Sequence, residues 1–287
     1  MKICVTGSDG QLGSEFKFLK SNNNNWIFLS IKDLDISDKS KVSEFFDNNK
    51  FDYIINCAAF TNVDKAEKEI DNAYLVNKNA VANLVDACCK HKIKLVHFST
   101  DYVFDGNCPI GYDELSQTNP LGVYGKSKNE GEKIIRSSFV KSVIIRTSWL
   151  YSTFGNNFVK TILNLSEKRK SIDVVTDQTG SPTYARDLAL VVCNNIITDK
   201  YSWKIGGDLF HFSNKGRCSW YQFAKKIIEF NNIKVKINKT LSSNFKRDAE
   251  RPKFSILNCN KFEKEFGVSI STWEKSLKIM MNNLNNE

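Results

Sequence analysis

Short apolar runs punctuate the first half of the chain, at KICVT (2–6), WIFLS (26–30), YIIN (53–56), KLVHFS (94–99) and SVIIRTS (142–148). They carry Val, Ile, Leu and Phe without strict alternation, as strands covered on both faces do. Helical periodicity fills the intervals, at about 11–20, 39–48, 72–90 and 123–137. In the third interval Ala73, Val76, Ala80, Leu84, Ala87 and Cys88 recur on one face. Strands alternating with helices predict a parallel sheet with right-handed crossovers.

Beyond this the pattern is less regular. SIDVV (171–175) predicts a sixth strand and ARDLALVVCNNII (185–197) a helix. SWYQFAKKIIEFN (219–231) predicts a Ser-capped amphipathic helix, and TWEKSLKIMMNNL (272–284) another that closes the chain. The NNNN tract (22–25) reads as a solvated loop. No repeat and no glycine-rich linker divides the sequence. The expected fold is α/β: a Rossmann-type doubly wound parallel sheet over residues 1–150, with a returning strand and helix near 171–198. A smaller α/β substrate domain is expected to occupy most of 151–287.

Composition changes this picture little. The 287 residues suffice for a sizeable core. A net charge of +9, from 41 basic and 32 acidic residues, invites a nucleic-acid reading. The lysines are spread evenly, however, so no nucleic-acid partner is expected. The cysteines at 4, 57, 88, 89, 108, 193, 218 and 259 form no C-x-x-C pair, and only three histidines accompany them. That argues against zinc and for reduced thiols in a reducing compartment. No apolar run reaches membrane-spanning length, and MKICVTG lacks a signal peptide's features. A cytoplasmic protein without a membrane partner is expected.

Candidate chemistry begins at GSDGQLG (7–13), between the first strand and the first helix. Its spacing is close to the dinucleotide fingerprint. Gly7 would permit the tight turn, Gly10 would let the backbone approach a pyrophosphate, and Gly13 would let the helix pack on the sheet. The helix N-terminus offers amide donors to phosphate. Sites for NAD usually carry an acid at the end of the second strand. Here Ser30, Ile31 and Lys32 come first and Asp33 and Asp35 follow, a slight lean toward NADPH over NADH.

The fourth strand runs into FSTDYVFDG (98–106), and YGKSK (124–128) opens the next helix. Positions i and i+4 share a helix face, so Tyr124 and Lys128 point together toward the ligand edge of the sheet. A free tyrosine has a pKa of about 10. A nearby ammonium is expected to lower it, so that Tyr124 can exchange a proton with a carbonyl or alcohol as hydride moves. Thr100 can donate a hydrogen bond to the same oxygen.

These residues resemble the extended short-chain dehydrogenase/reductase superfamily. Nine stretches narrow the resemblance: GQLG (10–13), LDISD (34–38), NCAAFTNVDKAE (56–67), STDYVFDG (99–106), YGKSKNEGE (124–132), RTSWLY (146–151), GNNFVKT (155–161), DQTGSPT (177–183) and RPKFSIL (251–257). In this order they are similar to the motifs of the dTDP-4-dehydrorhamnose reductase family. The resemblance implies NAD(P)H-dependent reduction of the 4-keto group of dTDP-4-dehydro-L-rhamnose. It implies that Tyr124 donates the proton, that Lys128 activates it and binds ribose, and that Thr100 orients the keto oxygen. Gly10, Gln11 and Leu12 would hold the pyrophosphate, Asp35 and Ile36 would flank adenine, and Ala58, Ala59 and Phe60 would line the cofactor path. Val63, Asp101, Tyr102 and Trp149 would shape the sugar site with Thr100, the indole of Trp149 covering an apolar sugar face.

Some family members dimerise through magnesium held by glutamates. Glu15 matches one such ligand, but Arg186 stands at the other, so no magnesium is expected. A monomer or homodimer is expected. Two alternatives keep the cleft and change its use: reduction of another nucleotide-linked 4-keto-6-deoxy sugar, or a non-catalytic regulatory subunit like that of methionine adenosyltransferase.

Overall fold

The computed structural model describes residues 1–198 and 200–284. The chain begins β1 (Ile3–Thr6), α1 (Gln11–Lys20), β2 (Trp26–Leu29), α2 (Lys39–Asn48) and β3 (Tyr53–Asn56). Next come α3 (Val63–Lys68), α4 (Ile70–Tyr74), α5 (Ala80–His91), β4 (Lys94–Thr100), α6 (Val123–Arg136) and β5 (Ser142–Thr147). The second half holds β6 (Leu150–Tyr151), α7 (Phe158–Lys168), β7 (Ser171–Val175), β8 (Thr179–Gly180), β9 (Thr183–Tyr184) and α8 (Ala185–Val191). It ends with β10 (Asp208–His211), β11 (Cys218–Ser219), α9 (Trp220–Phe230), β12 (Lys236–Thr240), β13 (Phe254–Ser255), α10 (Asn260–Phe266) and α11 (Trp273–Leu284).

Six parallel strands form the main sheet in the order β10-β5-β4-β3-β1-β2. Both faces are covered, as the continuous apolar runs require. Ile3, Val5, Ile55, Val96 and Ile145 meet α1, α8 and α10 on one face. Cys4, Ile54, Leu95 and Ile144 meet α2, α5 and α6 on the other. The strand order reverses between β1 and β3, and at such a switch point the carboxyl ends of an open sheet form a ligand crevice. The glycine loop leaves β1 there, and residues 57–60 leave β3. Among the described residues no helix is long and apolar enough to cross a membrane.

The structure corrects two expectations. The strand 171–175 does not return to the main sheet: β7 pairs in parallel with β12 in the second lobe. Ser171 and Asp173 are exposed while Ile172 and Val174 are buried, the alternation of a strand covered on one face. The sheet's sixth position belongs to β10, DLFH, which is buried throughout. The following helix does return, since Leu188 and Ala189 of α8 pack in the same cluster as Leu12 and Phe16 of α1.

The helix expected at 72–90 is also interrupted, by a π-helical turn over Leu75–Asn79. Such turns recur at functional sites. Here the turn places Asn77 so that its Oδ1 accepts from Phe60 N (2.9 Å) and its Nδ2 donates to Phe60 O (3.0 Å) and Ser127 Oγ (3.0 Å). One side chain thereby ties the loop after β3 to α6.

Candidate active site

At the N-terminus of α1 the backbone comes very close to itself. Gly7 adopts φ +67°, and a Cβ there would lie 2.5 Å from Ala58 N. A Cβ on Gly13 would lie 2.2 Å from the Gly7 carbonyl oxygen. No larger residue fits either place, so the loop can turn and α1 can start against the sheet. Gly10 caps the helix without a side chain, leaving the first-turn amides facing the crevice. An anion of pyrophosphate size fits this cradle on grounds of both space and donors.

Two cavities meet at this loop. One, of about 350 Å³, is lined by Gly7, Asp35, Ile36, Ala58, Ala59 and Phe60. The other, of about 620 Å³, takes in Gly10, Gln11, Leu12, Val63, Thr100, Asp101, Tyr102, Tyr124, Lys128 and Trp149. Every candidate cofactor and substrate residue therefore faces one cleft, except Gly13, which packs beneath it. The first acid after β2 folds back on the strand's end. Asp33 Oδ2 accepts from Ser30 N (2.8 Å) and Ser30 Oγ (2.7 Å). The smaller cavity carries Asp9 and Asp35 and, among the described residues lining it, no cation.

Thr100 ends β4. Its hydroxyl donates to Asp101 Oδ1 (3.0 Å) and accepts from Tyr102 N (3.2 Å). Burial pushes the Asp101 carboxyl up to about 6, with Thr100 among the groups that oppose the rise. Tyr124 stands edge-on to Tyr102, ring centroids 5.5 Å apart.

The expected direct pairing of phenol and ammonium is not what α6 and β4 produce. Burial raises the Tyr124 phenol to about 12, with the Thr100 hydroxyl opposing and Asp101 adding to the shift. Lys128 Nζ donates instead to the Phe98 carbonyl oxygen (2.6 Å). Burial lowers its pKa to about 8, opposed by Glu132 one turn further on and by Cys57. The four-residue spacing puts both side chains on the cleft face. The longer lysine reaches past the phenol to the sheet, where its desolvated charge takes the nearest carbonyl.

Beneath Lys128 a polar ladder crosses three strands in register: Thr6, Asn56 and His97. Thr6 Oγ1 (2.9 Å) and Ala58 N (3.1 Å) donate to Asn56 Oδ1. Asn56 Nδ2 therefore faces His97 Nδ1 at 3.1 Å. This assigns the ring proton to Nε2, which lies 3.4 Å from Lys128 Nζ. Burial and the Lys128 charge hold His97 well below the usual imidazole range, hence neutral. Sequence reasoning missed Asn56, Asn77 and His97. For Asn56 and His97 the signal was a polar residue inside a mainly apolar strand.

It also missed a third cavity, of about 210 Å³, which adjoins the sugar side through Tyr102 and is lined by Phe158, Trp220, Phe245, Arg247 and Arg251. Arg251 Nη2 donates to Asp64 Oδ2 (2.7 Å), beside Val63. In the middle of α1, Glu15 is wholly buried. Its oxygens accept from Arg186 Nε (2.7 Å) and Ser152 Oγ (2.7 Å). The cation anticipated at 186 thus pairs with that carboxylate.

Comparison with known proteins agrees with this architecture. Residues 1–286 match the family described as RmlD substrate binding domain. The dTDP-4-dehydrorhamnose reductase of Aggregatibacter actinomycetemcomitans is 38% identical over 291 residues, covering 96% of this chain and 97% of that protein. A dTDP-4-dehydrorhamnose reductase structure from Clostridium acetobutylicum superposes with a TM-score of 0.93 at 40% identity, covering 99% and 100% of the two chains. The Bacillus anthracis reductase, solved in complex with NADP, gives 0.92 at 40% identity over the same shares. Matched by the family model over residues 1–286 and by relatives of 38–40% identity across nearly the whole length, the chain belongs to the RmlD family of dTDP-4-dehydrorhamnose reductases.

Proposed function

We propose that the protein reduces the 4-keto group of dTDP-4-dehydro-L-rhamnose to give dTDP-L-rhamnose. The observation that carries this reading is a run of adjoining cavities. It runs from the α1 cradle, past Tyr124, Lys128 and Thr100, to a cavity with two arginines and three aromatic rings. A sugar fits at Thr100, Tyr102 and Trp149, and a diphosphate has Arg247 and Arg251 as cationic partners. A flat base has Phe158 and Phe245 to pack against.

A bound dihydronicotinamide supplies the hydride. The chain's residues handle the proton. At neutral pH a phenol near 12 is fully protonated, so Tyr124 is in the donating form. Proton transfer to the keto oxygen leaves a phenolate. The Lys128 ammonium, released from Phe98, is the cation within reach to stabilise it. Thr100 turns its hydroxyl hydrogen from Asp101 to the keto oxygen by rotation about one bond. The NADP complex of the 40%-identical relative supports NADPH as cofactor. The carboxylate-lined smaller cavity, with Asp9 and Asp35, is compatible with NADH as well.

The test is the fall in dihydronicotinamide absorbance with each cofactor and dTDP-4-dehydro-L-rhamnose, with the product identified by mass and chromatography. Turnover to dTDP-L-rhamnose is the expected result. Turnover only of GDP- or UDP-linked 4-keto sugars would refute the substrate. Cofactor binding without turnover of any sugar would refute the reaction.

A further inference from the structure

Trp149 is held in a backbone conformation that tryptophan rarely adopts, φ +46°. Hydrogen bonds on either side leave it little choice. Ser148 Oγ donates to Ser181 O (2.7 Å), and Thr183 N donates to Trp149 O (3.2 Å) where β6 meets β9. A non-glycine residue at positive φ persists only where its surroundings over-determine it, and such residues cluster at ligand sites.

The strained backbone sends the indole across Gly180. A Cβ there would lie 2.5 Å from Trp149 Cε2. Gly180 cannot retreat, because β8 is the central strand of the β11-β8-β13 sheet, paired with Cys218 on one side and Ser255 on the other. The opposite face of the indole stacks on Trp220, ring centroids 3.5 Å apart and planes 8° from parallel. Trp220 is itself fixed. It opens α9 within the Ser219–Gln222 capping box, its Nε1 donates to Gln178 Oε1 (3.1 Å), and Phe158 packs against it at 4.4 Å. Of the three residues only Trp149 lines the sugar side of the cleft; Trp220 lines the neighbouring cavity and Gly180 lines neither.

We propose that Gly180 and Trp220 are positioning residues that clamp the Trp149 indole as a preformed wall of the sugar subsite, and so set its fit to a 6-deoxy sugar. The inference rests on the functional reading above. The wall is built before the sugar arrives, so the ordering of a large side chain does not weigh against binding.

Two stacked indoles at this distance give an exciton couplet in far-UV circular dichroism, which reports the clamp without turnover. The wild-type protein should show it, and Trp220→Phe, Trp220→Leu and Gly180→Ala should lose it. Affinities are then measured by calorimetry for dTDP-L-rhamnose, for dTDP alone and for NADPH. Trp220→Leu and Gly180→Ala should weaken dTDP-L-rhamnose by about tenfold or more and leave dTDP and NADPH unchanged. Trp220→Phe, which keeps an aromatic face, should restore most of the loss.

Unchanged dTDP-L-rhamnose affinity in Trp220→Leu and Gly180→Ala would overturn the proposal. So would an equal loss for dTDP, which would make Trp220 a direct nucleotide contact. A wild-type protein with no couplet would refute the clamp itself. A wild-type protein with the couplet but no affinity for dTDP-L-rhamnose would refute the functional reading, and the sugar-fitting role with it.

Discussion

Replacing Lys128 by Met should make the protein more stable while abolishing its activity. The lysine is 2% exposed. Burial lowers its pKa from 10.5 to about 8, and that difference corresponds to a cost of about 3 kcal/mol for keeping the ammonium in the folded state at pH 7. Met fills a similar volume without a charge. It forfeits the bond to the Phe98 carbonyl, a net contribution of about 1 kcal/mol. The expected balance is a gain of about 2 kcal/mol at pH 7.

The pH dependence is the sharper part. Between pH 8 and 10.5 the unfolded chain holds the lysine proton and the folded chain does not, so wild-type stability rises with pH across that window. The Met variant has no such rise, and its advantage should shrink and vanish by about pH 10.5. Urea unfolding followed by tryptophan fluorescence at pH 7, 9 and 10.5 measures this. Turnover and cofactor affinity are recorded in parallel. A variant that unfolds at lower urea at pH 7, or a difference that does not change with pH, would refute the reasoning.

Tyr124→Phe should lower kcat by about 10²–10⁴-fold and leave the NADPH dissociation constant unchanged, as fluorescence titration would show. Arg146 and Glu132 form a buried two-pronged ion pair, Nε–Oε1 2.8 Å and Nη2–Oε2 2.6 Å. Arg146→Met alone should cost about 3–5 kcal/mol in urea unfolding, and adding Glu132→Leu should recover most of it. Asp101 has its pKa raised from 3.8 to about 6, so wild-type stability falls as pH rises through that window. Asp101→Asn should have no advantage at pH 3.5 and an advantage of up to about 3 kcal/mol above pH 6. Urea midpoints at pH 3.5 and 7 test this.

The main sheet was legible because each of its first five strands is a short run apolar on both faces, and only a strand within a covered parallel sheet needs that. The glycine loop was legible because its demands are local. Gly13 meets the Gly7 carbonyl within the turn, and Gly7 takes the positive φ that the turn requires. Local sequence also put Tyr124 and Lys128 on one helix face, since i and i+4 spacing is a property of any helix.

The neighbours that Lys128 meets were not local. Its carbonyl partner at Phe98 and the His97–Asn56–Thr6 ladder come from three strands whose register is set by sheet assembly. That environment turned a predicted lowering of the phenol's pKa into a rise, because desolvation acts on whatever the fold encloses. The same holds for β7, whose alternating pattern marks a half-covered strand but cannot name β12 as its partner. It holds again for Arg247 and Arg251, distant in sequence from the Tyr102 they join. By itself the sequence determined the first five strands of the main sheet, most helices of the first half, the glycine turn and which side chains are candidates for the chemistry. Only the tertiary structure decided which charges share a cavity, because burial and Coulomb interactions depend on distances in space and not along the chain.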